Sequence, residues 1–481
     1  MIPKSEILEI ATSHNLSPHV IEKDYVLGWI LAGIHLHEIG KTWVFKGGTC
    51  LKKCYFETYR FSEDLDFTLS DPSHIDADFL HSAFAEISEW IYEETGIELP
   101  ADRMIFDVYE NPRGAMSCQG RVFYRGPTST SSPKQMPRIK LDLSVDEVLV
   151  EDAVINAVTH EYSDAPTDGI YARCYSFAEV FAEKTRALGE RTRSRDLYDV
   201  INFYRRPESV TIASEVEAIL KEKCAFKSID MPTYEALASH KEECAAGWEQ
   251  QLSHQLQALP PFEAFWDELP TFFDWLYCAE YEDTIPLEHI PPQQGSTLSS
   301  GPIRSYGIPS QQLGTLDKIR FAASNHLCVE LHYRRQDGVQ NTYLIEPYSL
   351  NETSEGNLLL HALKHETEEI RAFRTDRILG VQISNQTFTP RYRIDLIPRN
   401  VSTTGLASLH LPEHRTATSA LTRPKRKTSS WSNTGIKYVF ECPLCQKKFT
   451  RKKMDSRLNP HKTKDGWPCS GRTGIYVDTK H

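Results

Sequence analysis

Residues 45–69 read FKGGTCLKKCYFETYRFSEDLDFTL. Trp43-Val44-Phe45 reads as a buried strand, Gly47-Gly48 turns the chain, Thr49 to Phe56 reads as a helix, and Phe61 to Leu69 as a second strand. Residues two apart on a strand share a face. Asp64 and Asp66 therefore project together, while Leu65, Phe67 and Leu69 point the other way, into a core. Paired carboxylates on a rigid support suit phosphoryl transfer. Hard Mg²⁺ takes oxygen ligands, mainly carboxylates and substrate phosphates, and two such ions can serve the attacking and leaving oxygens.

Working outward, Lys46-Gly47-Gly48-Thr49 stands where a strand becomes a helix. Glycines there let the backbone approach a phosphate, and a helix start supplies N–H donors. A further strand alternates Ile139, Leu141, Leu143 and Val145 with Lys140, Asp142 and Ser144. Asp142 on its polar face is a third carboxylate, able to complete a metal site or to accept the nucleophile's proton. A lone D-x-D also occurs in metal-dependent glycosyltransferases and in solvated turns. The ordered set of glycine turn, strand-borne D-x-D and later strand-borne Asp raises the case for a catalytic carboxylate pair, because three features agree in order and spacing.

The chain has 481 residues, too many for one ordinary core. Its net charge of −12 hides an asymmetry. Between Arg423 and Lys464 stand thirteen Lys or Arg against Glu441 and Asp455, an excess of +11, so the remainder carries −23. An acidic body with a basic tail points to a polyanion held by the tail, or to a solvated tail. The longest mainly apolar stretch, Val26 to Leu36, is too short to span a bilayer. No signal-peptide h-region opens the chain, so the expectation is a cytoplasmic protein without a membrane partner. Cys50, Cys54, Cys118, Cys174, Cys224, Cys244, Cys278 and Cys328 fall in no frame and read as reduced, mostly buried thiols.

The expected organisation is a first domain over residues 1–284, a Pro/Gly/Ser/Gln-rich linker over 285–312 and a small β-rich domain over 313–398. A basic linker over 399–435 and a small terminal module over 436–481 follow. Ser17 reads as an N-cap with Pro18 at the first helical position. Glu179 to Leu188 and Arg195 to Tyr204 read as helices, and Ser214 to Tyr277 as mostly helical.

The quoted stretch resembles the signature of the AbiEii family, nucleotidyltransferase toxins of type IV toxin–antitoxin and phage-defence systems. IEKDYVLGWIL (21–31), IKLDLSVDE (139–147), FAEVFAEKTRALGER (177–191) and RSRDLYDV (193–200) resemble that family's other motifs. The resemblance implies an α+β, polymerase-β-like nucleotidyltransferase fold with a helical C-terminal part. It implies that Asp64 and Asp66 bind Mg²⁺, that Lys184 contacts nucleotide phosphates and that Asp196 belongs to the last active-site motif. Read without it, Lys184 is a solvated helix lysine and Asp196 an acid complementing a helix start. Ser62 matches a position beside the D-x-D, where it could bind phosphate or cap a turn. Arg191, Arg193 and Arg195 could hold RNA phosphates or face solvent.

Residues 316–398 resemble a WYL domain, a β-rich module that senses nucleic-acid or nucleotide ligands, through IEPYSL and RAFRTDRI. The aromatic Trp-Tyr-Leu element stands here as Leu358-Leu359-Leu360. Tyr333, Arg334, Arg371, Arg374 and Arg377 could form a phosphate-binding group, or an Arg–carboxylate network with Glu346 and Asp376. In the tail, Cys442-x₂-Cys445 can chelate one ion, and His461 and Cys469 can complete a tetrahedral Zn²⁺ set. Lys447, Lys448, Arg451, Lys452 and Lys453 beside it suggest phosphate-backbone contact, with Phe449 or Trp467 as stacking surfaces.

The expected whole is a Mg²⁺-dependent enzyme moving NMP from an NTP to RNA, with the tRNA 3′ end suggested by family precedent. A structural zinc module, a WYL-like domain meeting RNA, DNA or an oligonucleotide, and a separate antitoxin accompany it. Two rivals are a transferase making free oligonucleotide products, and a WYL/zinc DNA-binding regulator with an inactive transferase.

Overall fold

The computed structural model describes residues 1–56, 60–129, 136–278, 287–291, 310–353 and 357–396, together with parts of 437–480. Most of the 285–312 stretch, all of 399–435, and Lys452, Lys453 and Trp467 lie outside them. Two compact units are resolved, Met1–Thr403 and Thr404–His481.

The first unit opens with α1 (Lys4–His14) and α2 (Pro18–Leu36). Ser17 caps α2 by accepting a hydrogen bond from the His19 N–H at 3.3 Å, with Pro18 at the first helical position. Strand β1 (Trp43–Lys46) runs into a single helical turn, α3 (Gly47–Cys50), and a wide π-type turn, Leu51–Tyr55. The second strand, β2, spans Asp64–Leu69, shorter than the expected Phe61 start. Phe61 is instead held out of the ladder by donating its N–H to the Gln255 carbonyl at 2.9 Å.

Helix α4 (Ala77–Thr95) has an Asp76 N-cap and a left-handed Gly96 at its end. It leads to β3 (Ile105–Glu110), β4 (Met116–Phe123), β5 (Arg138–Ser144), β6 (Val154–Val158) and β7 (Ile170–Cys174). The seven strands form one mixed sheet in the order β3-β4-β5-β2-β1-β7-β6. The pairs β2–β5 and β1–β7 are parallel and the others antiparallel. Trp43, Phe45, Leu65, Phe67, Leu69, Ile139, Leu141 and Leu143 are buried, as their alternation requires. Phe84 of α4 packs against Trp43 and Phe106 there. Burial of each large apolar side chain contributes about 1.5–3 kcal/mol.

The helical part begins with α5 (Phe177–Arg191), α6 (Ser194–Tyr204) and α7 (Ala213–Lys227). It continues through α8 (Tyr234–Ala238), α9 (Lys241–Leu252), α10 (Glu263–Trp266) and α11 (Leu269–Tyr277). Phe265, Trp266, Phe272 and Trp275 are buried in its core. Helix α12 (Ser310–Ser324) then introduces β8 (Leu327–Arg334), β9 (Gln340–Glu352), β10 (Leu358–Lys364), β11 (Ile370–Arg374) and β12 (Ile378–Thr387). These make a separate antiparallel sheet in the order β11-β10-β9-β8-β12. Leu359 and Leu360, standing in the Trp-Tyr-Leu position, are buried on β10. Glu268 joins the sheet's first turn to the helical part, holding Arg205 at 2.6 Å and facing His326 at 3.9 Å. No described helix is long and apolar enough to cross a membrane.

The second unit holds β13 (Lys437–Glu441), β14 (Lys448–Arg451) and β17 (Ile475–Lys480) in one sheet. A two-residue ladder joins β15 (His461–Lys462) to β16 (Pro468–Cys469).

Candidate active site and metal centres

Three adjacent strands align one row of side chains: Lys46 on β1 pairs with Asp66 on β2, which pairs with Asp142 on β5. Asp64 stands two residues before Asp66, opposite Lys140. Directly paired residues share a face, so all three carboxylates lie on the side opposite the apolar core. Burial, with Asp142 beside it, pushes the Asp66 carboxyl up to about 6, against the pull of Lys46. Asp142 is likewise raised, first by burial, with Lys46 opposing and Asp64 adding. The three do not close to within 4.8 Å of one another, as the described cysteine groups do. The carboxylates' hard oxygen donors and mutual repulsion fit a divalent cation such as Mg²⁺.

Gly47 supplies what no other residue could. Its φ is +78°, and a Cβ there would stand 2.0 Å from Asp66 Oδ2. At Gly48 a Cβ would meet the Arg60 guanidinium at 2.8 Å and Ser62 Oγ at 3.0 Å. Thr49 Oγ1 donates to the Asp64 carbonyl, tying the turn to the D-x-D strand. The N–H groups of Gly48 and Thr49 lie in the first turn of α3, where a helix has no internal acceptors for them.

Sequence reasoning leaves α5 with a solvated charged face; the structure buries that face. Lys184 Nζ stands 2.8 Å from Asp199 and 3.4 Å from Asp196. Arg191 grips Asp196 with two hydrogen bonds, 2.7 and 3.0 Å. Arg60 grips Asp199 with two of 2.7 Å and donates to Gln255 Oε1 at 3.1 Å. Burial alone would raise the Asp199 carboxyl, but Arg60 and Lys184 outweigh it and hold it well below the usual carboxylate range. Arg195, half-buried, lies in the field of Arg60, Asp199, Asp196 and Asp64. Lys46 reaches Glu147 at 3.5 Å and Glu183 at 3.8 Å, and Glu183 also meets Arg186 and Lys223. Arg60, Asp199, Glu147 and Glu183 thus join the buried charge network of the candidate site, which the sequence reading did not single out. For Glu183 and Asp199 the signal was the charge density of FAEVFAEKTRALGER and RSRDLYDV, which does not reveal burial; Arg60 and Glu147 lie outside both motifs.

In the WYL-like sheet the carboxylate network accounts for Arg374, which binds Asp376 at 3.0 and 2.8 Å. Tyr333 is buried and accepts the Arg374 N–H. Glu346 takes His365 and Tyr348 rather than an arginine. Arg371 lies over the Tyr343 ring at 5.1 Å, and Arg377 adds its field to that of Arg374 on Asp376.

The tail brings its four candidate ligands together: Cys442, Cys445, His461 and Cys469 lie within 4.8 Å of one another. Cys442 and Cys469 sulfurs are 3.8 Å apart, and His461 Nε2 is 3.2 Å from Cys445 Sγ. A tetrahedral Zn²⁺ with Zn–S near 2.3 Å sets its sulfurs about 3.8 Å apart. The set is compatible with zinc. The loose His-x₇-Cys spacing is explained by the short ladder, which pairs His461 with Cys469. Phe449 packs edge-on against the His461 ring.

Cys50, Cys54 and Cys174 are free and mostly buried, as their lack of a frame suggested, and they lie within 4.8 Å of one another. The parallel pairing of β1 with β7, which sets Phe45 against Cys174, brings them together.

A mixed sheet with carboxylates on neighbouring strands beside a glycine turn, backed by a helical part, is the framework of a nucleotidyltransferase. The chain belongs to the AbiEii family: "Nucleotidyl transferase AbiEii toxin, Type IV TA system" matches residues 29–274. "WYL domain" matches residues 314–383. Among solved structures the chain is similar to MenT4, a nucleotidyltransferase toxin from Mycobacterium tuberculosis H37Rv, at 16% identity and TM-score 0.38, covering 59% of this chain and 92% of that one. It is also similar to proteasome accessory factor B/C of Arthrobacter aurescens, at 16% identity and TM-score 0.17, over 19% of this chain and 15% of that one. Comparison with curated protein sequences gives no match.

Proposed function

We propose that this toxin transfers NMP from an NTP to an RNA acceptor in a Mg²⁺-dependent reaction, acting with a cognate antitoxin in anti-phage defence. The observation that carries the reading is the Lys46–Asp66–Asp142 row with Asp64 beside it. Asp64, Asp66 and Asp142 would hold the cation, which when bound neutralises triphosphate charge. Asp142, the more exposed of the row, accepts the acceptor hydroxyl's proton. The first-turn N–H groups at Gly48 and Thr49, with Ser62 beside them, receive phosphate oxygens. Lys184 is held rigidly by Asp196 and Asp199, and its field reaches Asp66. A fixed cation of this kind orients the triphosphate at no cost in side-chain ordering.

An RNA acceptor is supported by the continuation of the row. Beyond Asp142 it runs to Gln119 and Asp107 at the sheet edge. Arg121 and Lys140 are paired beside it, and Tyr109 is 39% exposed two residues along from Asp107. Cations for phosphate with a ring for a base suit a single strand. The tRNA 3′ end is the acceptor that family precedent supports. The test is incubation with total RNA, Mg²⁺ and each labelled NTP: label should enter a discrete RNA size class. Label in free oligonucleotides alone would refute the RNA acceptor.

Gly47→Ala should lower transfer at least tenfold and cost about 1–2 kcal/mol of stability, since Ala resists positive φ. Its methyl also displaces Asp66. Wild-type transfer by a correctly folded Gly47→Ala protein would remove the turn from the site. For the tail, we propose a structural Zn²⁺ on Cys442, Cys445, His461 and Cys469. Cys442→Ser should lose that ion and leave the tail protease-sensitive, because the metal supplies its folding energy. Equal zinc content in wild type and Cys442→Ser, measured by elemental analysis, would rule the site out.

A further inference from the structure

The reaction proposed above makes no use of Cys50, Cys54 or Cys174. Cys50 closes α3, and Cys54 follows one turn later in the π-type turn, which is completed by the Phe56 N–H donating to the Leu51 carbonyl at 2.8 Å. Wide turns of this kind are rare and recur at functional sites. Cys174 ends β7. The three sulfurs lie within 4.8 Å of one another. Cys50 and Cys174 are fully buried, while Cys54 is half-buried and gives a way in.

Buried thiols are ordinarily small apolar fillers. Cys118, Cys224 and Cys244 are buried in that way, and among the described residues they join no ligand group. The trio differs because its three sulfurs lie within 4.8 Å of one another. Three thiolates around one soft ion at about 2.3 Å sit about 4 Å apart, so only a small closure separates the trio from a coordination sphere.

We propose that Cys50, Cys54 and Cys174 form a three-thiolate site for a soft monovalent cation, Cu(I), separate from the tail. Thiolate softness selects Cu(I) or Zn²⁺ among common ions. Structural Zn²⁺ demands four ligands, and the described group offers three. Tyr55 Oη, 3.9 Å from Cys174 Sγ, is committed to the Tyr175 carbonyl. Binding releases the three thiol protons to solvent as three Cu–S bonds form, with no change of oxidation state. The loaded ion joins β7 to the segment directly following Gly47-Gly48.

The test uses the full chain carrying Cys442→Ser, Cys445→Ser and Cys469→Ser, so that the tail offers no thiolate. Reduced protein is loaded anaerobically with Cu(I), desalted and analysed for metal. One equivalent should remain, and adding Cys54→Ser should weaken retention at least tenfold. Less than a tenth of an equivalent, equal retention after Cys54→Ser, or Zn²⁺ displacing Cu(I) at equal concentration would overturn the assignment. A second measurement needs no variant. Cu(I) should slow alkylation of Cys54 by iodoacetamide at least tenfold in the wild-type chain, read by peptide mass spectrometry. An unchanged rate would overturn the proposal even if the variants fail to fold.

Discussion

Asp66→Asn is expected to reduce nucleotidyl transfer at least a thousandfold while leaving the protein folded. Asp66 is the middle member of the row, paired to Lys46 on one side and Asp142 on the other. Loss of one preorganised electrostatic group at a reacting centre typically costs about 10²–10³ in rate, and loss of a metal ligand adds to that. Asparagine keeps the shape and removes a carboxylate that burial and Asp142 already hold unfavourably, at about 6. The melting temperature should therefore stay level or rise. The same property sets a pH dependence. A carboxyl raised to about 6 carries its proton below that pH, and the proton competes with the cation. Apparent Mg²⁺ affinity should weaken about tenfold per pH unit below about 6. Near-wild-type transfer by purified Asp66→Asn, or Mg²⁺ affinity flat between pH 7 and pH 5, would refute this role.

The second large effect is on stability. Arg60→Met should destabilise the first unit by about 3–5 kcal/mol, because breaking a buried ion pair leaves its partner's charge undercompensated. The Arg60–Asp199 pair is bidentate, both side chains are almost wholly buried, and Asp199 also holds Lys184 at 2.8 Å. Arg60→Met combined with Asp199→Leu should recover part of the loss, since apolar replacement of a whole buried pair is often neutral. Denaturant unfolding of the single and double variants measures both. A single variant within 1 kcal/mol of wild type would show that the pair carries little of the fold.

The parts of the site written in local pattern could be read directly. The alternation of 64–69 and of 138–144, the Gly47-Gly48 turn and the Ser17-Pro18 cap each state their own geometry within a few residues. What could not be read is what depends on distant pairing. Lys184 reads locally as a solvated helix lysine, yet it is buried against Asp196 and Asp199 of α6, while Lys223 of α7 meets Glu179 at 2.5 Å. Arg60 gives no hint of Asp199, 139 residues on. The thiol trio needs the parallel β1–β7 pairing, a contact between ends of a long crossover that no local period encodes.

The residues leading into the D-x-D strand are anchored far downstream. The Phe61 N–H and the Arg60 guanidinium both end on Gln255, the latter across 195 positions. On a ribosome adding about 5–20 residues per second, that interval is roughly 10–40 s. During it Asp64 and Asp66 exist in the nascent chain without the brace that leads into their strand. A chain built this way completes the anchorage of its D-x-D strand only after residue 255 has been made.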